Sequence, residues 1–111
     1  MKNLVFAIVA ASPAMADPPV IEAVSLQNAQ ASVTVSHPDT GWDHYADVWR
    51  ILAPDGTELA ERILVHPHVS EQPFTRSTAF VAPPDIDRVQ VVAGCTNGDV
   101  SEAFEVLLAE N

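Results

Sequence analysis

The chain has 111 residues, 48% of them hydrophobic, and fifteen carboxylates against five lysines and arginines give a net charge of −10. That length allows one domain, and that charge repels phosphate backbones and anionic lipid, which disfavours nucleic-acid and membrane-surface binding. A single cysteine, Cys95, excludes an intramolecular disulfide, so stability has to come from apolar packing and backbone pairing.

Residues 1–16 carry the three-part pattern of a secretory signal peptide. Lys2 is the positive n-region, residues 4–11 form an apolar h-region, and Ala14-Met15-Ala16 supplies a small-x-small cleavage pattern. The apolar run breaks at Ser12-Pro13, far short of the roughly 20 residues that span a bilayer. The expected product begins at Asp17, is periplasmic or secreted, and comprises one domain over residues 17–111 without a membrane span. The compact n-region suits a bacterial protein, and the chain holds no Asn-x-Ser/Thr acceptor. Loss of Lys2 leaves Arg50, Arg62, Arg76 and Arg88 as the side-chain cations and a net charge of −11. Such a surface favours a soluble monomer and attracts cationic partners.

From Asp17 onward, short β-branched runs alternate with turn residues. Residues 20–26 predict a first strand. Ser32-Val33-Thr34-Val35-Ser36 alternates cleanly as a second, with Val33 and Val35 on its buried face, and His37-Pro38-Asp39-Thr40-Gly41 interrupts it. Residues 46–53 form a third strand, closed by Pro54-Asp55-Gly56-Thr57, a strong turn signal. Residues 58–65 return as its hairpin partner and end at His66-Pro67-His68. A fifth strand over 74–81 stops at Pro83-Pro84, a sixth spans 88–95, and Asn97-Gly98-Asp99 turns the chain into a seventh at 103–108. A short helix capped by Ser101 is the alternative for that last segment. The nine prolines and four glycines fall almost wholly between these runs. The expectation is all-β: a seven-stranded antiparallel two-sheet sandwich following a cleaved signal peptide.

Pro18-Pro19-Val20 entering the first strand, the alternating second strand, and Val89-Gln90-Val91-Val92-Ala93 with Asn97-Gly98 resemble a fibronectin type III or immunoglobulin-like module. The chain departs from the antibody pattern by lacking paired cysteines, and from the fibronectin pattern in having His37 where an aromatic is usual. Its middle, residues 41–47 and 66–74, is also similar to small exported bacterial proteins of no assigned function. The resemblance implies a fold and a location; it implies no activity.

His66-Pro67-His68 with Glu71 is the most specific local feature. Residues i and i+2 of an extended segment point to one side, and Pro67 holds the piece out of a helix. Two imidazoles with a nearby carboxylate can begin a copper or zinc site. In a sandwich, His44, flanked by Asp43 and Asp47, falls at the same pole, so the expected metal ligands are His44, His66, His68 and Glu71. The competing reading is a set of solvated loop histidines. Trp49 shares a parity with Ile51 and is expected in the core, as is Cys95, in phase with Val89, Val91 and Ala93. Trp42, beside Gly41, is expected as an exposed contact residue, with Asp43 and Asp47 beside it. Arg76 is expected to pair with an acidic loop residue. Ser70, His68 and Asp47 can be drawn as a triad, but no nucleophile motif supports it, so no catalytic residue is assigned. The leading reading is an exported, non-enzymatic binding module of the bacterial envelope that takes a protein or cationic ligand. A periplasmic copper- or zinc-binding protein ranks second and a small hydrolase third.

Overall fold

Two antiparallel sheets pack face to face because each strand places alternate apolar side chains on one side. The structure, a computed structural model, describes residues 17–108; the expected signal segment 1–16 lies outside the described residues. The strands are β1 Val20–Gln27, β2 Gln30–Ser36, β3 Ala46–Leu52, β4 Glu58–Ile63, β5 Phe74–Ala79, β6 Arg88–Cys95 and β7 Phe104–Leu107. One sheet has the order β1-β2-β5 and the other β4-β3-β6-β7. Every pairing is antiparallel, which makes this a seven-stranded two-sheet sandwich. The last segment is a strand and not a helix. Among the described residues no helix is long and apolar enough to cross a membrane.

The core takes Ala31, Val33 and Val35 from β2, Trp49 and Ile51 from β3, Phe74 from β5, and Val89, Val91 and Ala93 from β6. On the outer face of β2 the alternate residues are hydroxylic. Ser32 lies opposite Ser77 and Thr34 opposite Thr75, with their hydroxyl oxygens 2.7 Å apart in both pairs. These cross-strand bonds help hold the register that keeps the valines inside.

The Pro54-Asp55-Gly56-Thr57 turn forms as its residues dictate. The Gly56 N–H donates to the Ala53 carbonyl at 2.8 Å, Gly56 takes a φ of +92°, and the Asp55 carboxylate accepts from the Thr57 N–H at 3.0 Å. That hydrogen bond, the largest influence on it, holds the exposed Asp55 carboxyl below its ordinary pKa. The β1–β2 connection follows a less legible rule. Gln27 pairs directly with Gln30, leaving Asn28 and Ala29 as a two-residue turn with φ of +57° and +59°. A type I′ turn demands positive φ at both positions and normally advertises itself as Asn-Gly. Alanine there costs roughly 1–2 kcal/mol relative to a right-handed conformation. The strand pairing on either side is what holds it in place.

A bulge near the start of β3 breaks the alternation ahead of Trp49 and Ile51. The β3–β6 register slips between Ala46 and Val48, so Ala46 faces inward and Tyr45 is released to the loop. Trp49 keeps its inward position at 0% exposure.

Candidate functional site

The pole at which β2 ends and β3 begins concentrates the buried polar groups of the protein. Locally this starts with Pro38. Its fixed φ suits an inverse γ-turn, and the Asp39 N–H donates to the His37 carbonyl at 2.7 Å. The turn brings the His37 and Asp39 side chains together. His37 Nδ1 lies 2.6 Å from Asp39 Oδ1, with both side chains at 0% exposure. The same carboxylate accepts from the Ala46 N–H at 2.9 Å through Oδ1 and from the His68 N–H at 2.8 Å through Oδ2. Gln72 completes the lacing: its Oε1 accepts from the His37 N–H at 3.0 Å and its Nε2 donates to the His68 carbonyl at 2.8 Å. Asp39 and Gln72 thus tie the β2–β3 loop to the β4–β5 connection.

His68 is buried beneath that connection. Its ring stacks on Phe74 with centroids 3.8 Å apart and planes 9° from parallel. Its Nε2 lies 2.8 Å from Arg76 Nη2, and the guanidinium also reaches Glu71 Oε1 at 3.4 Å. Arg76 therefore pairs with an acidic loop residue, as expected. An imidazole accepting from a guanidinium has to be neutral at that nitrogen. Burial is the largest influence lowering the His68 pKa, followed by the charge of Arg76 and of His66, against the opposing pull of Glu71 and Asp39. A histidine whose folded pKa lies below its unfolded value of about 6.5 leaves the native state fully stable above that pH and weakens it as pH falls through the lower value. The urea midpoint should accordingly drop between pH 7.5 and 5.5, and His68→Gln should flatten that dependence. An equal drop in both proteins would show that His68 is not the group responsible.

The structure brings together some of the expected metal ligands and separates others. His66 and His68 sit side by side with ring centroids 4.5 Å apart, and Glu71 is near them through Arg76. The guanidinium that fills the space before His68 Nε2 opposes a cation there, and His66 Nδ1 faces the Pro67 carbonyl at 3.0 Å. His44 turns elsewhere. Its ring packs on His37 with centroids 4.8 Å apart, and a nitrogen of each histidine lies with the Cys95 thiol within 4.8 Å of one another. Of the expected ligands His44, His66, His68 and Glu71, His44 is thus placed with His37 and Cys95, a group of three close donors among the described residues. The reason is the His37-Pro38-Asp39 turn, which aims His37 inward beside His44.

Cys95 is buried in β6 as its phase predicts, and burial is the main influence raising its thiol pKa. Its Sγ lies 2.8 Å from Asn97 Oδ1. In the triad drawn from Ser70, His68 and Asp47, His68 Nε2 is occupied by Arg76 and its Nδ1 is buried without a partner among the described residues, so neither nitrogen is bonded to Ser70 or Asp47. Trp42 is 67% exposed and meets Tyr45 edge-on at 5.7 Å. It lines a shallow concavity of about 500 Å³ with Gly41 and the 66–71 segment. Asp43 beside it is exposed, and Asp47 lies half-buried in the bulged stretch of β3. Sequence reasoning missed His37, Asp39 and Gln72. The signal available was the His37-Pro38-Asp39 spacing, the same one that drew attention to His66-Pro67-His68.

No protein-family model matches the chain. A protein of Halomicrobium mukohataei named "Putative lipoprotein" is 43% identical over 65 residues, covering 54% of this chain and 32% of its own length. The chain therefore spans about a third of the curated relative it matches.

Proposed function

We propose that this is an exported, envelope-associated, non-enzymatic interaction module that engages a cationic protein ligand through its Trp42 pole. The exposure of Trp42 carries the reading. Its indole stands at the rim of the concavity, and Val65 and Val69 of the β4–β5 connection add exposed apolar surface. Tryptophan is the side chain most enriched among residues that dominate binding energy. Asp43 and Glu71, both exposed, flank this surface, and in a chain this acidic they favour a partner of positive charge. The signal-peptide pattern of residues 1–16 and the name of the similar protein support the location. A fibronectin type III-like reading is supported by the pairing of β4 with β3, where an immunoglobulin constant-type sandwich sends its fourth strand to the other sheet.

Photo-crosslinking in the producing cell tests this. A photoreactive side chain at position 42 or 69 should trap a discrete adduct, and one at exposed Val81, near the opposite β1–β2 turn, should not. Identical patterns at all three positions, or none at 42 and 69, would remove the reading.

A further inference from the structure

We propose that His37, His44 and Cys95, with Asp17 as a fourth donor, form a site for a thiophilic divalent cation of which zinc is the type. The site is distinct from the Trp42 surface and does not depend on it.

His37 carries the argument furthest. Its side chain is wholly buried, and Nδ1 is committed to Asp39. Nε2 is equally buried and has no hydrogen-bond partner among the described residues, although a buried polar atom left unpaired is costly. A carboxylate that accepts from Nδ1–H fixes the tautomer with its lone pair on Nε2. That carboxylate–histidine arrangement is the one that orients metal-bound imidazoles and raises their basicity. The remaining donors have the chemistry to match. A thiol sulfur and two imidazole nitrogens lie within 4.8 Å of one another. His44 Nε2 is 3.8 Å from Asp17 Oδ2, which offers an oxygen to close a four-coordinate shell.

Zinc–nitrogen bonds of about 2.0–2.1 Å and zinc–sulfur bonds of about 2.3 Å put tetrahedral donors about 3.3–3.7 Å apart. The donors therefore have to draw in by about 1 Å. His37 is held by its γ-turn and by Asp39, so the movement falls to His44, whose side chain is 21% exposed on a loop, and to Asp17, at 52%. The same two exposed groups leave a path for entry. As the sulfur–metal bond forms, the thiol proton, now directed to Asn97 Oδ1, leaves for solvent.

Cobalt(II), which takes the same geometry and reports sulfur ligation by a thiolate-to-metal charge-transfer band, is the probe. Purified reduced protein titrated with cobalt(II) should develop that band to one equivalent, and zinc(II) should bleach it. Cys95→Ser should remove the band. His44→Asn, a change at a partly exposed position that leaves the core intact, should weaken binding by at least the 10–100-fold typical of losing even an outer-shell partner. His66→Ala, in the neighbouring histidine pair, should retain the band. A wild-type protein that takes up cobalt without the band, or at several weak sites, overturns the proposal with no variant needed. So does loss of the band in His66→Ala, or its survival in Cys95→Ser.

Discussion

Trp49→Ala should destabilise the domain by about 3–5 kcal/mol, the range for removing a large aromatic from a packed core. The indole is at 0% exposure in the core cluster that also holds Val33, Val35, Phe74 and Val91, and it belongs to the central strand pair of the four-stranded sheet. A loss of that size takes most of the stability of an ordinary domain, about 5–15 kcal/mol. Trp42→Ala should cost under about 1 kcal/mol, because folding withdraws little of its surface from water. Trp49→Phe is the informative intermediate. The buried indole N–H has no partner among the described residues, so phenylalanine forfeits volume without stranding a polar group. Urea denaturation of the three variants reads the order directly. Equal midpoints for Trp42→Ala and Trp49→Ala would mean that the assignment of one tryptophan to the core and one to the surface is wrong.

Asp39→Ala should be comparably severe, on the order of 3–5 kcal/mol, the cost of breaking a buried hydrogen-bonded pair from one side. Three donors lose their acceptor at once: His37 Nδ1, the Ala46 N–H and the His68 N–H. Each stays buried, and an unsatisfied buried donor costs about 1–3 kcal/mol. Asp39→Asn keeps one carbonyl oxygen and nearly the same shape, so it should fall between the wild type and Asp39→Ala. The loss should be local as well as global. Amide exchange at Ala46 and His68 should accelerate in Asp39→Asn before exchange in β6 does, since the carboxylate anchors the loop pole and not the sheet pairing. Simultaneous acceleration throughout would place Asp39 in the global folding unit and refute its role as a local tie.

The strand pattern was legible because burial imposes a period of two on every strand. Alternation in 32–36 and 89–95 identified the inward residues of β2 and β6 correctly, since one-residue slippage would turn each valine to water. The Pro54-Gly56 turn was legible because its residues can adopt few other conformations. The Asn28-Ala29 turn was not, because alanine reaches its positive φ only when the flanking strands compel it. The β3 bulge was hidden for a related reason. A register slip is a property of two strands and leaves no trace in the one that carries it.

The candidate site divides along the same line. Local sequence determined that His37 and His66 each begin a His-Pro-X segment and that Cys95 faces the core. Which histidine meets which was decided by tertiary structure. His44, Cys95 and His37 are separated by 7 to 58 residues of chain and converge only because β3 pairs with β6 while Asp39 draws the end of β2 over both. Arg76, eight residues from His68 along the chain, comes to cover its Nε2 only once β5 packs against the β4–β5 connection, and its charge opposes a cation at that nitrogen. Strand periodicity is a local consequence of burial and can be read one segment at a time; the meeting of side chains from different strands depends on registers that form only when the sheets assemble.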